Sequence, residues 1–363
     1  MNKRFDTILV LGLGKVGHLV GLLLHNSGFR VTGADLHNHE DCPFTVIKLD
    51  STDTHSLGKT LQEFDAVVSC LPYHFNIAVA RLAAENKTHY FDLTEDVQTT
   101  KEIMELSGKH KTIMAPQCGL APGFIGIIGA SLAEEFARIR NIKLRVGALP
   151  KHPTGLLGYA FNWSPEGVVN EYLNDCEVIE NSKRKWVSPL EWVETIVIHG
   201  NVLEAFTTSG GLGTMCDTYE GRVENLDYKS IRYPGHAKLM NFLLHELLMR
   251  EDRVSTGEIL VNAKPPVNED VVYIHASAEG WINGNLARKE FVKVYHPIEI
   301  NDHTFRTIAW TTAASVCAVV EMAATGVISD SGFIRQEEIS FDRFIASHNG
   351  RLFALKKHGG KIT

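Results

Sequence analysis

The chain has 363 residues, of which 44% are hydrophobic and 22% charged, with a formal net charge of −7. That length suits two domains, a nucleotide-sized unit and a substrate unit of comparable size, and the composition leaves ample apolar surface for two cores. A net-negative chain lacks the clustered Lys and Arg that phosphate backbones demand, which argues against a nucleic-acid partner.

From Thr7 the chain runs T-I-L-V-L, and then G-L-G-K-V-G places Gly12, Gly14 and Gly17 ahead of an apolar helical stretch through Leu24. Strand, tight turn and helix in that order form a dinucleotide fingerprint. Gly12 permits the turn, Gly14 lets backbone approach a pyrophosphate, Gly17 allows helix and strand to pack closely, and the phosphate meets the helix N-terminus. Leu13, Lys15 and Val16 complete the turn. A second strand reads from Phe29 to Ala34 with Asp35 at its carboxyl end. An acid there accepts hydrogen bonds from ribose hydroxyls and repels a 2′-phosphate, and no Arg follows in L-H-N-H-E, so NAD is expected over NADP.

Further strands read at Phe44–Leu49, Ala66–Cys70, Thr88–Phe91 and Thr112–Ala115, with helical stretches such as Asn76–Glu85 between them. Alternating β and α implies a parallel sheet whose ligand crosses the carboxyl ends of the strands. Asp50 and Ser51, then Cys70, Leu71 and Pro72, are therefore expected to line a cofactor groove, as is Cys118 after the last of these strands. Cys70 ends a buried strand without an identifiable basic partner, so it reads as a lining residue and not a nucleophile. His37 and His39 lack a third ligand in sequence and read as surface histidines; no metal is expected.

Later, alternating strands at Asp270–Ala278 and Phe291–His296 suggest a hairpin of a mixed or antiparallel sheet, with E-G-W-I-N-G-N-L as its loop. The small-residue stretch Thr307–Ile328 opens beside Arg306, carries Glu321 and is rich in Thr and Ala, so it reads as a buried helix and no membrane is expected. The cysteines, Cys42, Cys70, Cys118, Cys176, Cys216 and Cys317, are scattered with no C-x-x-C pair and no secretory leader ahead of them. Reduced thiols and a cytoplasmic location are the expectation.

Several blocks carry a family likeness: Y-F-D-L-T-E-D at Tyr90–Asp96, A-P-Q-C-G-L-A-P-G at Ala115–Gly123, W-S-P-E-G at Trp163–Gly167, L-E-A-F-T-T-S-G-G-L at Leu203–Leu212 and I-R-Y-P-G-H at Ile231–His236. Together they resemble the saccharopine dehydrogenase family, in its compact branch similar to lysine 6-dehydrogenases. The resemblance implies an α/β fold: an N-terminal Rossmann domain with a doubly wound parallel sheet over 1–122 with 304–345, an inserted α/β domain with a mixed or antiparallel sheet over 123–303, and a tail over 346–363. It also implies a homodimer. The order His236, Ala237, Lys238 departs from the family, where an acidic residue often follows the histidine.

The chemistry so implied, hydride transfer at a carbon bearing nitrogen, needs fixed charge for the substrate's carboxylate and a proton acceptor for the amine. A planar guanidinium holds a carboxylate best, and the candidate is Arg232, whose other reading is a structural tie. His236, where a helix is expected to begin, is the candidate general base, or else bonds only to neighbouring backbone. Asp92 is placed to meet the nicotinamide ribose or a substrate ammonium. Glu166 offers a second carboxylate, against a rival reading as an acid in the first turn of a helix capped by Ser164. Gln117, Tyr159 and Trp163 are substrate-lining candidates. The expected function is NAD-dependent oxidation or reduction at the CH–NH or CH–NH2 group of lysine or a lysine-derived amino acid. The alternatives are an NAD-using polyamine synthase or carboxynorspermidine-type reductase, and a non-enzymatic dinucleotide sensor.

Overall fold

The first third of the chain alternates strand and helix, and its central strands, Thr7–Leu11 and Ala66–Ser69, are apolar enough to be covered on both faces. In chain order the elements are β1 (Thr7–Leu11), α1 (Gly17–Asn26), β2 (Arg30–Asp35), β3 (Thr45–Lys48), α2 (Thr54–Leu61), β4 (Ala66–Ser69), α3 (Tyr73–Glu85), β5 (His89–Asp92), α4 (Val97–Ser107) and β6 (Ile113–Ala115). The computed structural model describes residues 3–39 and 42–354, with two short strands at 357–358 and 361–362. The strands pair in the order β3-β2-β1-β4-β5-β6, and a short strand at Gly332–Phe333 extends the sheet beyond β6. Every pairing is parallel. Strand order reverses between β1 and β4, the switch point where such sheets bind ligands at their carboxyl ends.

One side of this sheet is held by an apolar cluster that includes Leu9, Leu57, Leu61, Val67, Val79, Ala83, Tyr90 and Ile103. Helix starts are fixed locally: Asp53 accepts from the backbone N–H groups of His55 and Ser56 ahead of α2, and Asp96 from that of Thr99 ahead of α4.

The chain divides into two compact units, Met1–Phe124 with Ala309–Thr363, and Ile125–Ile308. The second crossing falls inside the helix Thr307–Ala324. That helix is long and apolar enough to cross a membrane by length and composition, but 89% of it is buried within the protein. Part of the tail expected at 346–363 lies outside the described residues, namely 355, 356, 359, 360 and 363. The portion from 346 to 354 is packed: Phe353 is buried, and its ring stacks on that of Phe124 with centroids 3.9 Å apart.

The second unit opens with α5 (Ile125–Ala133) and a long strand, β7 (Arg138–Pro150). Then come α6 (Pro165–Leu173), β8 (Cys176–Glu180), β9 (Lys183–Val187), β10 (Glu194–Ile198), β11 (Asn201–Thr207), α7 (Met215–Tyr219), β12 (Val223–Arg232), α8 (His236–Asn241), α9 (Arg253–Ala263), β13 (Asp270–Ile282) and β14 (Asn285–Tyr295). The sheet order is β10-β11-β12-β7-β13-β14, with β8 and β9 attached beside β12. It is mixed: β12 and β7 run parallel, and the other pairings are antiparallel. Most of the loop expected between the last two strands is itself strand. The turn is only Asn283-Gly284, both at positive φ, the two-residue connection whose twist suits a hairpin.

Strands β7 and β12 carry buried charges where a half-buried strand would carry apolar residues. Arg145, almost wholly buried, donates from Nε to Glu194 at 2.5 Å and lies 2.5 Å through Nη1 from Asp227, while Lys229 lies 3.0 Å from Glu194. The two cations meet two carboxylates, so each charge is compensated in place.

Candidate functional site

In the first unit the glycines that follow β1 do separate jobs. Gly12 has φ +80°, and a Cβ there would stand 3.0 Å from the Leu71 side chain. At Gly17 a Cβ would fall 1.8 Å from the Gly12 carbonyl oxygen, so α1 can start this close to the turn only without a side chain. Gly14 is exposed, and a Cβ there would meet nothing within 4 Å. Helix α1 has no side-chain cap and no acid in its first turn. Its first N–H groups are thus presented beside an open backbone surface at Gly14, Lys15 and Val16, which is the donor set a pyrophosphate needs. Leu13, by contrast, is buried against the sheet, and its N–H donates to Asp35 Oδ2 at 2.7 Å.

Asp35 also accepts from the His37 N–H at 3.0 Å. Burial works against its charge, but these two backbone N–H groups and the nearby imidazoles hold its carboxyl below the usual range. His39 Nε2 lies 3.7 Å from the same carboxylate. At the neighbouring strand ends, exposed Asp50 is occupied with the N–H and hydroxyl of Thr52, and Ser51 follows it half-buried. Cys70 and Leu71 are half-buried, and exposed Pro72 leads into α3. Burial pushes the Cys70 thiol up to about 12, with Asp92 adding to the effect, so it is a thiol at neutral pH.

Asp92 points elsewhere than the sequence suggests. It is 0% exposed, and three donors reach it: the Tyr90 hydroxyl at 2.7 Å and the N–H groups of Thr94 and Gln117 at 2.9 Å each. Its carboxylate therefore ties the end of β5 to the segment after β6. Gln117 is buried, in the left-handed region at φ 64°. Cys118 is fully buried, its thiol donating to the Ala115 carbonyl at 3.1 Å, so it supports the segment and lines nothing.

Burial pushes the Asp92 carboxyl up to about 6 from an ordinary 3.8, although its three donors oppose the shift. A raised pKa means that the folded state holds the proton more tightly. The group's stabilising contribution is complete below about 3.8 and is lost as pH rises through about 6, which costs on the order of 3 kcal/mol at pH 8. Asp92→Asn, whose amide oxygen can still accept from the two backbone N–H groups, is expected to match the wild type in thermal stability near pH 4 and to exceed it near pH 8. Melting curves at the two pH values check this; a variant that is less stable at both would show that the ionised carboxylate is needed.

The second unit gathers a separate polar cluster inside an aromatic surround. Arg232, the last residue of β12, is 3% exposed. Its Nε donates to the Tyr172 hydroxyl at 2.8 Å, and its Nη1 to the Ile231 carbonyl at 2.9 Å. Its guanidinium lies 4.8 Å from the ring centre of Tyr159 and 5.7 Å from that of Tyr172. Among the described residues no carboxylate forms an ion pair with it. Burial alone would lower its pKa, but Tyr172, Tyr159 and Glu171 together hold it above the ordinary range.

His236 opens α8 and is 1% exposed. Its Nδ1 is 2.9 Å from the Leu157 carbonyl, and its Nε2 is 3.0 Å from the Tyr172 hydroxyl. Burial first, and then the Arg232 charge, push its pKa down to about 3, so the ring is neutral. The lone pair that a general base would use is already accepting from Tyr172, and His236 reaches anything else only through that hydroxyl. Glu204 fixes the start of α8 by accepting from the N–H groups of Gly235 and Ala237 at 2.7 Å each. Trp163 Nε1 donates to the Tyr159 hydroxyl at 3.2 Å. Glu166 is exposed in the first turn of α6, behind Pro165 and a Ser164 cap that accepts from Gly167 N–H at 3.0 Å. That is the local helix-start arrangement.

The structure thus brings Arg232, His236, Tyr159 and Trp163 together. Tyr172 and Glu204 are not among the residues singled out from sequence. Tyr172 is 60 residues from Arg232 and 64 from His236, and in sequence it reads as one more apolar position of α6. Glu204 lies within a block that carries the family likeness, but nothing local shows that it crosses to the start of α8.

A family model described as the saccharopine dehydrogenase NADP binding domain matches residues 8–114, and one described as the saccharopine dehydrogenase C-terminal domain matches residues 119–353. Saccharopine dehydrogenase (NADP(+), L-glutamate-forming) of Schizosaccharomyces pombe is 26% identical over 41% of this chain and 35% of its own length. The enzyme of the same name from Saccharomyces cerevisiae is 27% identical over 52% and 45%. Less than half the length of each relative is matched. The apo, histidine-tagged saccharopine dehydrogenase (L-Glu forming) from Saccharomyces cerevisiae shares the fold, with a TM-score of 0.73 at 18% identity over 94% of this chain and 96% of that one. With both family models covering nearly the whole sequence and the parallel and mixed sheets in place, the chain belongs to the saccharopine dehydrogenase family.

Proposed function

We propose that this chain is a nicotinamide-dinucleotide-dependent oxidoreductase acting on the CH–NH or CH–NH2 group of lysine or a lysine-derived amino acid such as saccharopine. The observation that carries the reading is Arg232, a guanidinium 97% buried with no carboxylate paired to it among the described residues. Glu171 supports this charge without forming an ion pair with it, which leaves the fork to receive an anion from outside. A planar fork suits the carboxylate of an amino acid. Tyr159 and Trp163 supply apolar walls against which an aliphatic chain can lie.

Oxidation at such a carbon removes a hydride and a proton from H–C–N–H and leaves C=N, which water then opens to carbonyl and amine. Bound at the turn from Gly12 to Gly17, a nicotinamide dinucleotide would supply the acceptor for that hydride. The role of Arg232 is to hold the carboxylate so that the neighbouring carbon has a fixed place. Asp35 favours NAD over NADP, because a carboxylate kept ionised at the end of β2 repels a 2′-phosphate.

The test is absorbance at the reduced-nicotinamide band when the protein is mixed at mildly alkaline pH with NAD or NADP and, in turn, L-lysine, saccharopine, ornithine and carboxynorspermidine. Growth of the band with NAD and either of the first two is the expected result. Growth with NADP alone would overturn the cofactor assignment, and silence with every amine despite dinucleotide binding would overturn the oxidoreductase reading.

A further inference from the structure

Every proton in the Arg232–Tyr172–His236 chain has a single possible place. The Leu157 carbonyl only accepts, so His236 Nδ1 carries the hydrogen of that 2.9 Å bond. In a neutral ring Nε2 is then the bare nitrogen, and the Tyr172 hydroxyl must donate to it across 3.0 Å. The guanidinium only donates, so the Tyr172 oxygen accepts from Arg232 Nε across 2.8 Å. Burial pushes the Tyr172 phenol above its ordinary range, which keeps the donated proton in place. Were the imidazole protonated, Tyr172 would face two donors and its own hydrogen would have no acceptor. The rings enforce the same geometry: His236 stacks on Phe206 at 12° between planes and meets Tyr159 and Tyr172 edge-on.

We propose that Tyr172 is a positioning residue of this site, a hydroxyl clamped between His236 and Arg232 that fixes the guanidinium in the orientation that receives the substrate's carboxylate. It rests on the reading of Arg232 as the carboxylate holder. Because Nε is committed to Tyr172 and Nη1 to the Ile231 carbonyl, the plane of the guanidinium is set by two bonds from two directions, and a carboxylate meets a fixed fork. His236 acts one step further back, as the acceptor that keeps the Tyr172 lone pair turned toward Arg232.

The experiment has two arms. In the first, imidazole 15N spectra of the whole protein between pH 5 and 9, with His236 assigned by its loss in His236→Gln, are expected to show a non-titrating Nδ1–H tautomer whose Nε2 resonance moves in Tyr172→Phe. An Nε2–H tautomer, or a resonance unmoved by the Phe substitution, would overturn the proposal. In the second, Tyr172→Phe is expected to raise KM for L-lysine about tenfold with kcat little changed, while KM for cadaverine, which lacks the carboxylate, stays put. Equal rises for both amines would mean a general loss of structure and sink the idea.

His236→Gln, whose amide can accept from Tyr172 and donate to Leu157, is expected to raise the lysine KM less than His236→Leu, which should reproduce the Phe variant. These two serve if Tyr172→Phe does not fold; identical behaviour of the Gln and Leu variants would overturn the proposal. The spectroscopic arm needs no turnover. Silence of the enzyme with every amine therefore counts against the proposed function, and the tautomer still decides the place of Tyr172.

Discussion

Gly17→Ala is expected to destabilise the protein by about 3 kcal/mol, lowering the melting temperature by roughly 6–12 °C, and to abolish measurable dinucleotide binding, whereas Gly14→Ala should melt within about 2 °C of the wild type yet bind the dinucleotide at least about tenfold more weakly. The two positions share a motif, but different atoms face them. At Gly17 the new methyl would fall 1.8 Å from the Gly12 carbonyl oxygen and 3.1 Å from the Cys70 side chain, so α1 must move away from β1 and β4. At Gly14 it would meet nothing within 4 Å and would only stand on the backbone surface that a pyrophosphate must approach. Thermal melts together with dinucleotide titration separate the two effects. Undiminished binding by Gly14→Ala would place the phosphates somewhere other than this turn.

The parallel sheet was legible because its signals are local. A β-branched strand, T-I-L-V-L, glycines at fixed offsets and an acid at the end of β2 all fall within the first 35 residues, and each is a backbone requirement written in residue type. The mixed sheet was mostly illegible for an equally physical reason. Strand β12 reads V-E-N-L-D-Y-K-S-I-R, and the charges of Asp227 and Lys229 that should mark an exposed face are buried beside Arg145 and Glu194. A period-two search cannot find a face whose polar residues are paired inside. Asp92 misled in the opposite way: its place at the end of β5 suits a ligand contact, but Tyr90, two residues back on the same strand, turns the carboxylate inward. Arg232 and His236 were legible as types in a recognisable block. Tyr172, which sets how they face each other, was not, because a hydroxyl bonded to two residues 60 and 64 positions away leaves no mark on periodicity.

Arg232→Met is expected to lower kcat/KM for the amino-acid substrate by about 10²–10³-fold, since losing one partner of a buried charge-assisted contact costs about 3–4 kcal/mol. The fold should not pay for this. Methionine fills much of the same volume between the Tyr159 and Tyr172 rings, so the melting temperature should hold. Arg232→Lys keeps the charge but has one terminal nitrogen, which cannot both serve Tyr172 and meet a carboxylate, so a loss of about 10–10²-fold is expected with it. Cadaverine again provides the control, because an amine without a carboxylate should be indifferent to all three side chains. If the Met variant keeps its kcat/KM for the carboxylate-bearing substrate but melts lower, Arg232 is a structural tie between β12 and α6, and the anion-holding group must be sought elsewhere. If activity falls while stability holds, the arginine is retained for binding at the expense of the fold, which is the pattern of a functional site.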